Sequence, residues 1–298
     1  MVTQAWSPGK KLTLLELARK LRRGNRKLPK PPMPPTTKTL ELTYYRALKA
    51  YVATIIELTR QALDKDLPKA ITAITALQPT NDRMDEEIDG LIARLKLKIG
   101  QLYPDAVIVS MAETAAKSIN SKNFKYFGQF AEKVAGINPI AHEPWLRAQM
   151  ETFTRFNVSL IKSIPEEHLR RVESIISVGV QRGRLAKDIA TDVAEKFDIP
   201  LNRAKLIARD QTAKFNSSLT RIRQTDLGIS QYIWHTAGDE RVRGNPDGLY
   251  PKADPSHWDR DGKVFDWNAP PEDGHPGEPI NCRCQAIAVV EPQEPDEE

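Results

Sequence analysis

The chain has 298 residues, of which 40% are hydrophobic, and a formal net charge of +5. This length and composition exclude a disordered protein and predict one large domain or two ordinary ones. No run approaches the roughly 18 uncharged apolar residues of a membrane span, and MVTQAWSPGKK lacks the apolar segment of a signal peptide. We therefore expect a protein with no membrane partner, made and kept in a cytosol. Two cysteines exclude a disulfide framework and favour a metal site or free thiols in a reducing compartment.

Residues 1–37 are predicted to form a basic, proline-rich N-terminal arm. Residues 1–36 hold nine Lys and Arg against Glu16, whereas the acidic tail, 291–298, holds five acids and no base. A basic arm suits phosphate backbones or an acidic protein surface, and the alternative is a solvated leader without a partner. The candidate partner- or DNA-binding residues are Arg19, Lys20, Arg22, Arg23, Arg26, Lys27 and Lys30.

The segment TLLELARKLRR within the arm is predicted to form a short amphipathic helix. Its apolar side would consist of Leu14, Leu15, Ala18 and Leu21, with bases on the other side. The prolines between 31 and 35 favour an extended, semi-rigid segment after it. The leucines and prolines fit a groove on a partner protein better than a bare phosphate contact.

From about 38 to 228 the apolar residues recur at helical spacing, and we assign a helical region to 38–140. The segment SIPEE indicates a helix start, because Ser163 and Glu166 have the spacing of a capping box and Pro165 suits a first turn. The positions that mark the earlier helices are Leu48, Val52, Ile55 and Ala62 in one, and Leu91, Leu95, Ile99 and Leu102 in the next.

After Gly228 the character of the sequence changes, because QYIWHTA and CRCQAIAVV both have the composition of strands. About 45 residues rich in Gly, Pro, Asp and Trp separate them, and such a long loop is usually functional or held by something other than a core. The predicted fold class is α+β. A mostly α-helical N-terminal region precedes a C-terminal domain of helices and a small sheet, which carries a long insertion stabilised by a metal or by its own loop contacts.

The two cysteines are one residue apart, in GHPGEPINCRC, and on a strand they would project to the same side. Two such thiolates can share a tetrahedral zinc ion, which needs two further ligands. The candidates are His257 and His275, with Asp239 and His235 in reserve. The alternative is a pair of ordinary buried thiols beside a hydrogen-bonded loop histidine.

Two kinds of catalysis are weaker alternatives. For thiol chemistry, the sequence identifies no third group that would orient a cysteine–histidine pair. For a nuclease, His257, Asn268 and His275 form a loose His-Asn-His set, but such a site needs a helix after the second histidine, and His275 is followed by Pro276, Gly277 and a strand.

A further set of charged residues is predicted to be structural rather than catalytic, because charged clusters at strand and helix ends are common. These residues form a salt-bridged turn after the first strand and a pair on a helix face. They are Asp239, Arg241 and Arg243 in the turn, and Arg209 and Asp210 on the helix.

Three segments in order carry a resemblance to a known family: IARDQTAKFNSSLTRIRQTDLGISQYIWHTAGDERVR, then SHWDRDGKVF, then APPEDGHPGEPINCRC. Together they resemble the phage Mu F-like family of minor head, or head morphogenesis, proteins of tailed bacteriophages. The resemblance places the family domain at 141–290. One departure follows Arg243, where GNPDGLYPKADPS delays His257, so the ligand role of His257 is less secure than that of the cysteines.

The resemblance implies a minor capsid protein that is not an enzyme. Such a protein would lie in the virion, in the capsid interior or at the portal vertex, and in the host cytoplasm during assembly. Its implied partners are the portal protein, the major capsid or scaffolding protein and phage DNA, with a role in head assembly and in DNA packaging or delivery. The resemblance also implies one zinc ion per chain. The alternatives are a metal-dependent nuclease or a toxin-like enzyme that uses 235–284, and a prophage remnant without a present role.

Overall fold

The computed structural model describes residues 30–76, 81–136 and 143–290, together with Leu14, Glu16 and Ala18, which are helical. The chain divides into two compact units. The mixed unit comprises Met1–Thr37, Ser118–Leu146 and Thr212–Glu298, and the helical unit comprises Lys38–Lys117 and Arg147–Gln211.

Helices dominate the described ranges, and a small sheet lies near their C-terminal end, which confirms the predicted α+β class. No described helix is long and apolar enough to cross a membrane. The helices are α1 (Lys38–Lys65), α2 (Leu67–Ala76), α3 (Asn81–Leu102), α4 (Asp105–Ala135), α5 (Leu146–Gln181), α6 (Ala186–Ala194) and α7 (Asp198–Asp226), and the strands are β1 (Gln231–His235), β2 (Val264–Asp266) and β3 (Gln285–Ala288).

The core of the helical unit consists of the apolar faces that the helical spacing indicates. Leu48, Val52 and Ile55 of α1 are fully buried, as are Leu91 and Leu95 of α3. Leu102 is the exception, because this last residue of α3 is 54% exposed. The buried face of α3 therefore ends at Ile99, about one turn before the Leu102 that the sequence pattern includes.

A buried polar contact joins α1 to α5 within the helical unit. Thr59 donates its hydroxyl to the Ile55 carbonyl at 2.8 Å and lies 3.1 Å from Nε2 of His168. Because the hydroxyl proton is used, Nε2 of His168 is assigned as the donor to the Thr59 oxygen. Burial, with a smaller contribution from Arg171, lowers the pKa of His168 to about 4.

The helix start predicted at Ser163 is wrong, because α5 runs without a break through this position with Pro165 inside it. The Ser163 hydroxyl donates to the Leu160 carbonyl at 2.7 Å, within the helix, instead of capping a new one. Pro165 removes one helical hydrogen bond. Burial of Ile161 and Ile164 before it and of Leu169 after it keeps the helix continuous.

The sheet of the mixed unit has the order β2-β1-β3, with antiparallel pairing on both sides of β1. The first predicted strand is confirmed, and its inward residues Tyr232 and Trp234 are fully buried. The second predicted strand is shorter than expected: β3 begins at Gln285, so Cys282 and Cys284 precede it. β2 lies inside the long loop, where the sequence pattern predicts no strand.

The described part of the N-terminal arm packs on its own chain. Leu14 and Ala18 are buried with Phe127, Phe130 and Val290, among others, and the Leu14 amide donates to the Leu227 carbonyl at 2.8 Å. The expectation that this apolar face docks on a partner protein is therefore wrong for Leu14 and Ala18.

The proline segment of the arm also contacts the mixed unit. Tyr126 donates its hydroxyl to the Pro32 carbonyl at 2.9 Å, and Gln285 donates to the Pro35 carbonyl at 2.9 Å. Lys30 is exposed. The acidic tail and six predicted binding residues lie outside the described residues, namely Arg19, Lys20, Arg22, Arg23, Arg26 and Lys27.

A buried arginine connects α7 to the segment before α5 in the mixed unit. Arg223 is 1% exposed and makes a bidentate pair with Glu143, at 2.7 and 2.8 Å. It also donates to Asn120 and Asn123, each at 2.6 Å, and lies against the Trp145 ring. The guanidinium thereby joins α7 to two other segments of the chain, α4 and the residues before α5.

Candidate metal centre

The structure brings His257 and the two cysteines together. His257 lies in the loop between β1 and β2, and the cysteines lie immediately before β3. Nδ1 of His257 is 3.5 Å from Sγ of Cys282 and 3.6 Å from Sγ of Cys284. The three ligand atoms lie within 4.8 Å of one another, and all three side chains are buried.

These distances fit a tetrahedral zinc ion. With Zn–S near 2.3 Å and Zn–N near 2.0–2.1 Å, the tetrahedral angle places a nitrogen and a sulfur ligand about 3.6 Å apart. The observed separations of 3.5 and 3.6 Å therefore match those of two thiolates and an imidazole around one ion. A mixed sulfur and nitrogen donor set is also the one that zinc prefers.

Asp273 orients the histidine ring. Its Oδ2 lies 2.8 Å from Nε2 of His257, and its Oδ1 accepts from Arg260 at 2.5 Å. Arg243 lies 3.7 Å from the same carboxylate. Because Nε2 is held by the carboxylate, Nδ1 faces the sulfurs. A carboxylate on the distal nitrogen is the usual arrangement for a metal-binding histidine.

The protonation of the group depends on these contacts. Burial alone would lower the pKa of His257, but Cys282 and Asp273 outweigh it and raise that pKa. The Cys284 thiol hydrogen bond lowers the pKa of Cys282 well below its usual range, and His257 and the Gly277 amide add to this effect. The pKa of Cys284 is raised, chiefly by Cys282. One thiolate thus forms readily, and the second requires a cation beside it.

Two N–H groups approach the sulfurs. The Gly277 amide donates to Sγ of Cys282 at 3.3 Å. The Trp234 indole lies beside Cys284. Its Nε1 is buried and makes no hydrogen bond of normal geometry with a described atom. The Trp234 ring also packs edge-to-face on His257, with centroids 5.1 Å apart. Weak N–H donors next to sulfur favour its thiolate form.

Comparison with known proteins finds a family that is similar to the part of the chain that contains this centre. Residues 170–287, which include all three ligand residues and Asp273, match the family described as phage Mu protein F like protein. These residues are similar to that family. The match confirms the resemblance seen in the sequence, and the family suggests a phage head morphogenesis protein.

A curated relative of the chain is described as an uncharacterized protein from Haemophilus influenzae (strain ATCC 51907 / DSM 11121 / KW20 / Rd). It is 29% identical over 269 residues, which are 87% of this chain and 55% of the relative. The chain thus spans about half the length of that relative. No solved structure matches the chain.

The structure does not bring His275 into the metal group of the Mu F-like region. His275 is fully buried, with Nδ1 2.8 Å from the Tyr232 hydroxyl and its ring against Trp267. Its Nε2 has no hydrogen-bond partner among the described atoms, and burial lowers its pKa. His275 therefore belongs to the aromatic core of the mixed unit, not to the ligand set assigned from the sequence.

The two reserve ligands also have other partners. Nδ1 of His235 lies 3.6 Å from the Asp261 carboxylate. Asp239 pairs with the guanidinium of Arg283 and accepts from the Arg241 amide at 3.1 Å. Asp239 therefore ties the turn after β1 to the residue between the cysteines.

The predicted polar cluster is divided between the two units. Asp239, Arg241 and Arg243 lie in the mixed unit, where Arg243 donates to the Ile280 carbonyl at 3.3 Å. Arg209 and Asp210 lie in the helical unit, where the Asp210 carboxylate accepts from Gln211 at 3.0 Å. The contacts of Asp239, Arg243 and Asp210 are hydrogen bonds and ion pairs that hold loops and helices.

The histidine–asparagine–histidine set of the nuclease alternative is not assembled by the described contacts. His257 bonds to Asp273 and His275 to Tyr232, whereas the Asn268 amide donates to the Asp266 carboxylate at 2.7 Å in an exposed turn.

Asp273, Arg260 and Trp234 also surround the centre, and the sequence predicts such a role for none of them. Asp273 has no motif of its own, because its role arises from a contact with His257 across 16 residues of loop. Asp273 stands two residues before His275, and of these two residue types the histidine is the more usual zinc ligand. Trp234 carried one usable signal, its inward position on the predicted strand.

Proposed function

We propose that the chain is a minor head protein of a tailed bacteriophage or prophage, structural rather than catalytic, whose long loop is held by one zinc ion. The main support for a zinc ion is the pair of separations, 3.5 and 3.6 Å, between Nδ1 of His257 and the two sulfurs. The family match of residues 170–287 supports the role in head morphogenesis.

The zinc would stabilise a part of the chain that has little regular secondary structure of its own. His257 and Cys282 are 25 residues apart, and the segment between them holds one three-residue strand. An ion bound by His257, Cys282 and Cys284 closes this loop against β3. Since the ligand set forms only on folding, the free energy of metal binding becomes free energy of folding.

We further propose that the protein acts at the portal vertex, with the portal protein and the major capsid or scaffolding protein as partners. Because Leu14 and Ala18 are buried in the mixed unit, the portal contact lies on another surface. Phage DNA is the proposed partner of the basic arm, including the exposed Lys30, and such binding should weaken steeply with salt.

A second candidate function is thiol catalysis, because Cys282, His257 and Asp273 follow the order of nucleophile, base and orienting group. Two observations favour the metal. Cys282 and His257 are only 5% and 2% exposed, which leaves no access for a substrate. Cys284 also lies at nearly the same distance from Nδ1 as Cys282, which one nucleophile does not require.

Alkylation separates these two functions. With zinc bound, iodoacetamide should modify neither cysteine of the native chain, and both should react after chelation. Rapid modification of Cys282 alone in the zinc-replete protein, faster than a free thiol, would favour the enzyme.

The role in head assembly is tested in the phage that encodes the chain. Deleting its gene should lower the yield of infectious particles, and the chain should be found in purified heads of the parent. The variant His257→Ala should enter heads poorly, whereas the exposed control Asp259→Asn should enter normally. Normal yield after deletion, with no chain in parental heads, would contradict the proposal.

A further inference from the structure

We infer that a cleft in the helical unit binds an ammonium group carried on an aliphatic stem, as in a lysine side chain or a free alkylamine. The cleft has a volume of about 290 Å³, and α1, α3, α4 and α5 contribute to its walls. Every residue that lines it belongs to the helical unit, so the inference does not depend on the proposed zinc.

Part of the lining suits an apolar stem. Ile99, Ile108 and Leu169 line the cleft and are buried. The rings of Tyr51 and Tyr103 also line it, edge to face with their centroids 4.6 Å apart. A cavity of about 150 Å³ holds a benzene molecule, so this cleft has room for the four-carbon stem and the head of a lysine side chain.

The tyrosine hydroxyls leave hydrogen-bonding capacity for a ligand. Tyr51 is 3% exposed, and its hydroxyl has no hydrogen-bond partner among the described residues, whereas a buried polar group normally has one. The Tyr103 hydroxyl lies 3.0 Å from that of Thr54, whose own proton goes to the Ala50 carbonyl. Tyr103 is therefore the donor to Thr54, and its oxygen can only accept a further hydrogen bond.

The charges near the hydroxyls favour a cation. Burial raises the pKa of Tyr51, and Tyr103 and Glu166 raise it further, so the Glu166 carboxylate lies close to the buried hydroxyl. Lys162 lies 2.7 Å from Asp105, which neutralises the charge of this lysine. Aromatic rings and a carboxylate are the groups that attract an ammonium ion.

Gly100 leaves the cleft open. It lies inside α3, where glycine is the least favourable residue except proline. A Cβ at this position would meet no atom within 4 Å, so packing within the chain does not require the missing side chain. Lys96, about one turn earlier in α3, is exposed at the cleft and opposes an ammonium ion. Removing its charge should therefore strengthen the binding of a cation.

The test titrates the full chain with two probes that share a five-carbon stem, pentylammonium and hexanoate. The NMR signals of the Ile108 and Leu169 methyl groups should shift saturably with pentylammonium and stay in place with hexanoate. Glu166→Gln should weaken the binding by up to about 5-fold, the range of an exposed ion pair. Lys96→Gln should strengthen it by a similar factor, and the exposed control Lys98→Gln should leave it unchanged.

Filling the cleft is a second, independent test. Gly100→Leu should keep the melting temperature of the wild type and lose the binding of pentylammonium. If this variant melts earlier, the opposite effects of Glu166→Gln and Lys96→Gln decide the question.

Two further probes distinguish the sources of the ammonium group. Binding of N-acetyl-lysine methylamide more tightly than pentylammonium would support a lysine of a partner protein, and tighter binding of spermidine would support a free amine. Preference for hexanoate, no methyl shift with any amine, or pentylammonium binding that survives in folded Gly100→Leu would overturn the inference.

Discussion

Replacing Gly277 by alanine should destabilise the mixed unit more than the same change at a glycine of similar backbone conformation. Gly277 has φ 90°, where an L-residue is strained by about 1–2 kcal/mol. A Cβ at this position would lie 2.9 Å from Cβ of Ser217 and 3.2 Å from the Ala213 carbonyl oxygen. Such overpacking against α7 adds about 1–3 kcal/mol. The expected total loss is about 2–5 kcal/mol.

Gly262→Ala is the matched control, because Gly262 lies in the same loop with φ 78° and would place its Cβ in open space. We expect it to lose only the conformational part, about 1–2 kcal/mol. Urea unfolding of both variants at one zinc concentration measures the difference. Equal losses would refute the argument that Gly277 is required by its close approach to α7.

Three further predictions concern other parts of the molecule. Asp273→Asn should weaken zinc affinity by about 10–100-fold in a competition titration, whereas Asp259→Asn should not change it. His168 has a folded pKa of about 4 against 6.5, so its unfolded state binds more protons in this window, and stability should fall by about 3 kcal/mol from pH 7 to pH 4. In His168→Gln, denaturant unfolding should show that this part of the pH dependence is lost; an unchanged slope would contradict the assignment. Arg223→Met should cost about 3–5 kcal/mol in thermal or urea unfolding, because Glu143 stays buried without its partner, and a neutral effect would show that water replaces the guanidinium.

The sequence predicts the features of the fold that depend on local patterns. Helical spacing gives the buried faces around Leu48 and Leu91, and alternation gives the inward positions of Tyr232 and Trp234 on β1. Local patterns mislead where packing overrides them. The Ser163 capping box has the right spacing, but burial of Ile161 and Leu169 on either side keeps α5 continuous.

The candidate centre was predicted in part. Cys282, Cys284 and His257 were identified by residue type and spacing, and they lie together. His275 was misassigned because residue type alone does not distinguish a ligand from a core histidine. Asp273 could not be found, since its contact with His257 depends on the path of the intervening loop.

For the N-terminal arm, too, the sequence alone does not identify what the apolar face contacts. An amphipathic pattern at Leu14 and Ala18 indicates that this face needs an apolar surface to cover it. The pattern does not say whether that surface belongs to another protein or to the same chain. Here the surface is the chain's own, formed by α4, by Leu227 and Ile229 after α7, and by the end of β3.

Zinc content tests the central claim most directly. The chain, purified without chelator and measured by elemental analysis, should contain about one zinc per chain, the number that one tetrahedral site holds. The variant Cys282→Ser should contain far less. A wild-type chain that carries no metal, yet shows the near-ultraviolet circular dichroism of ordered Trp234 and Trp267, would contradict a metal-held loop.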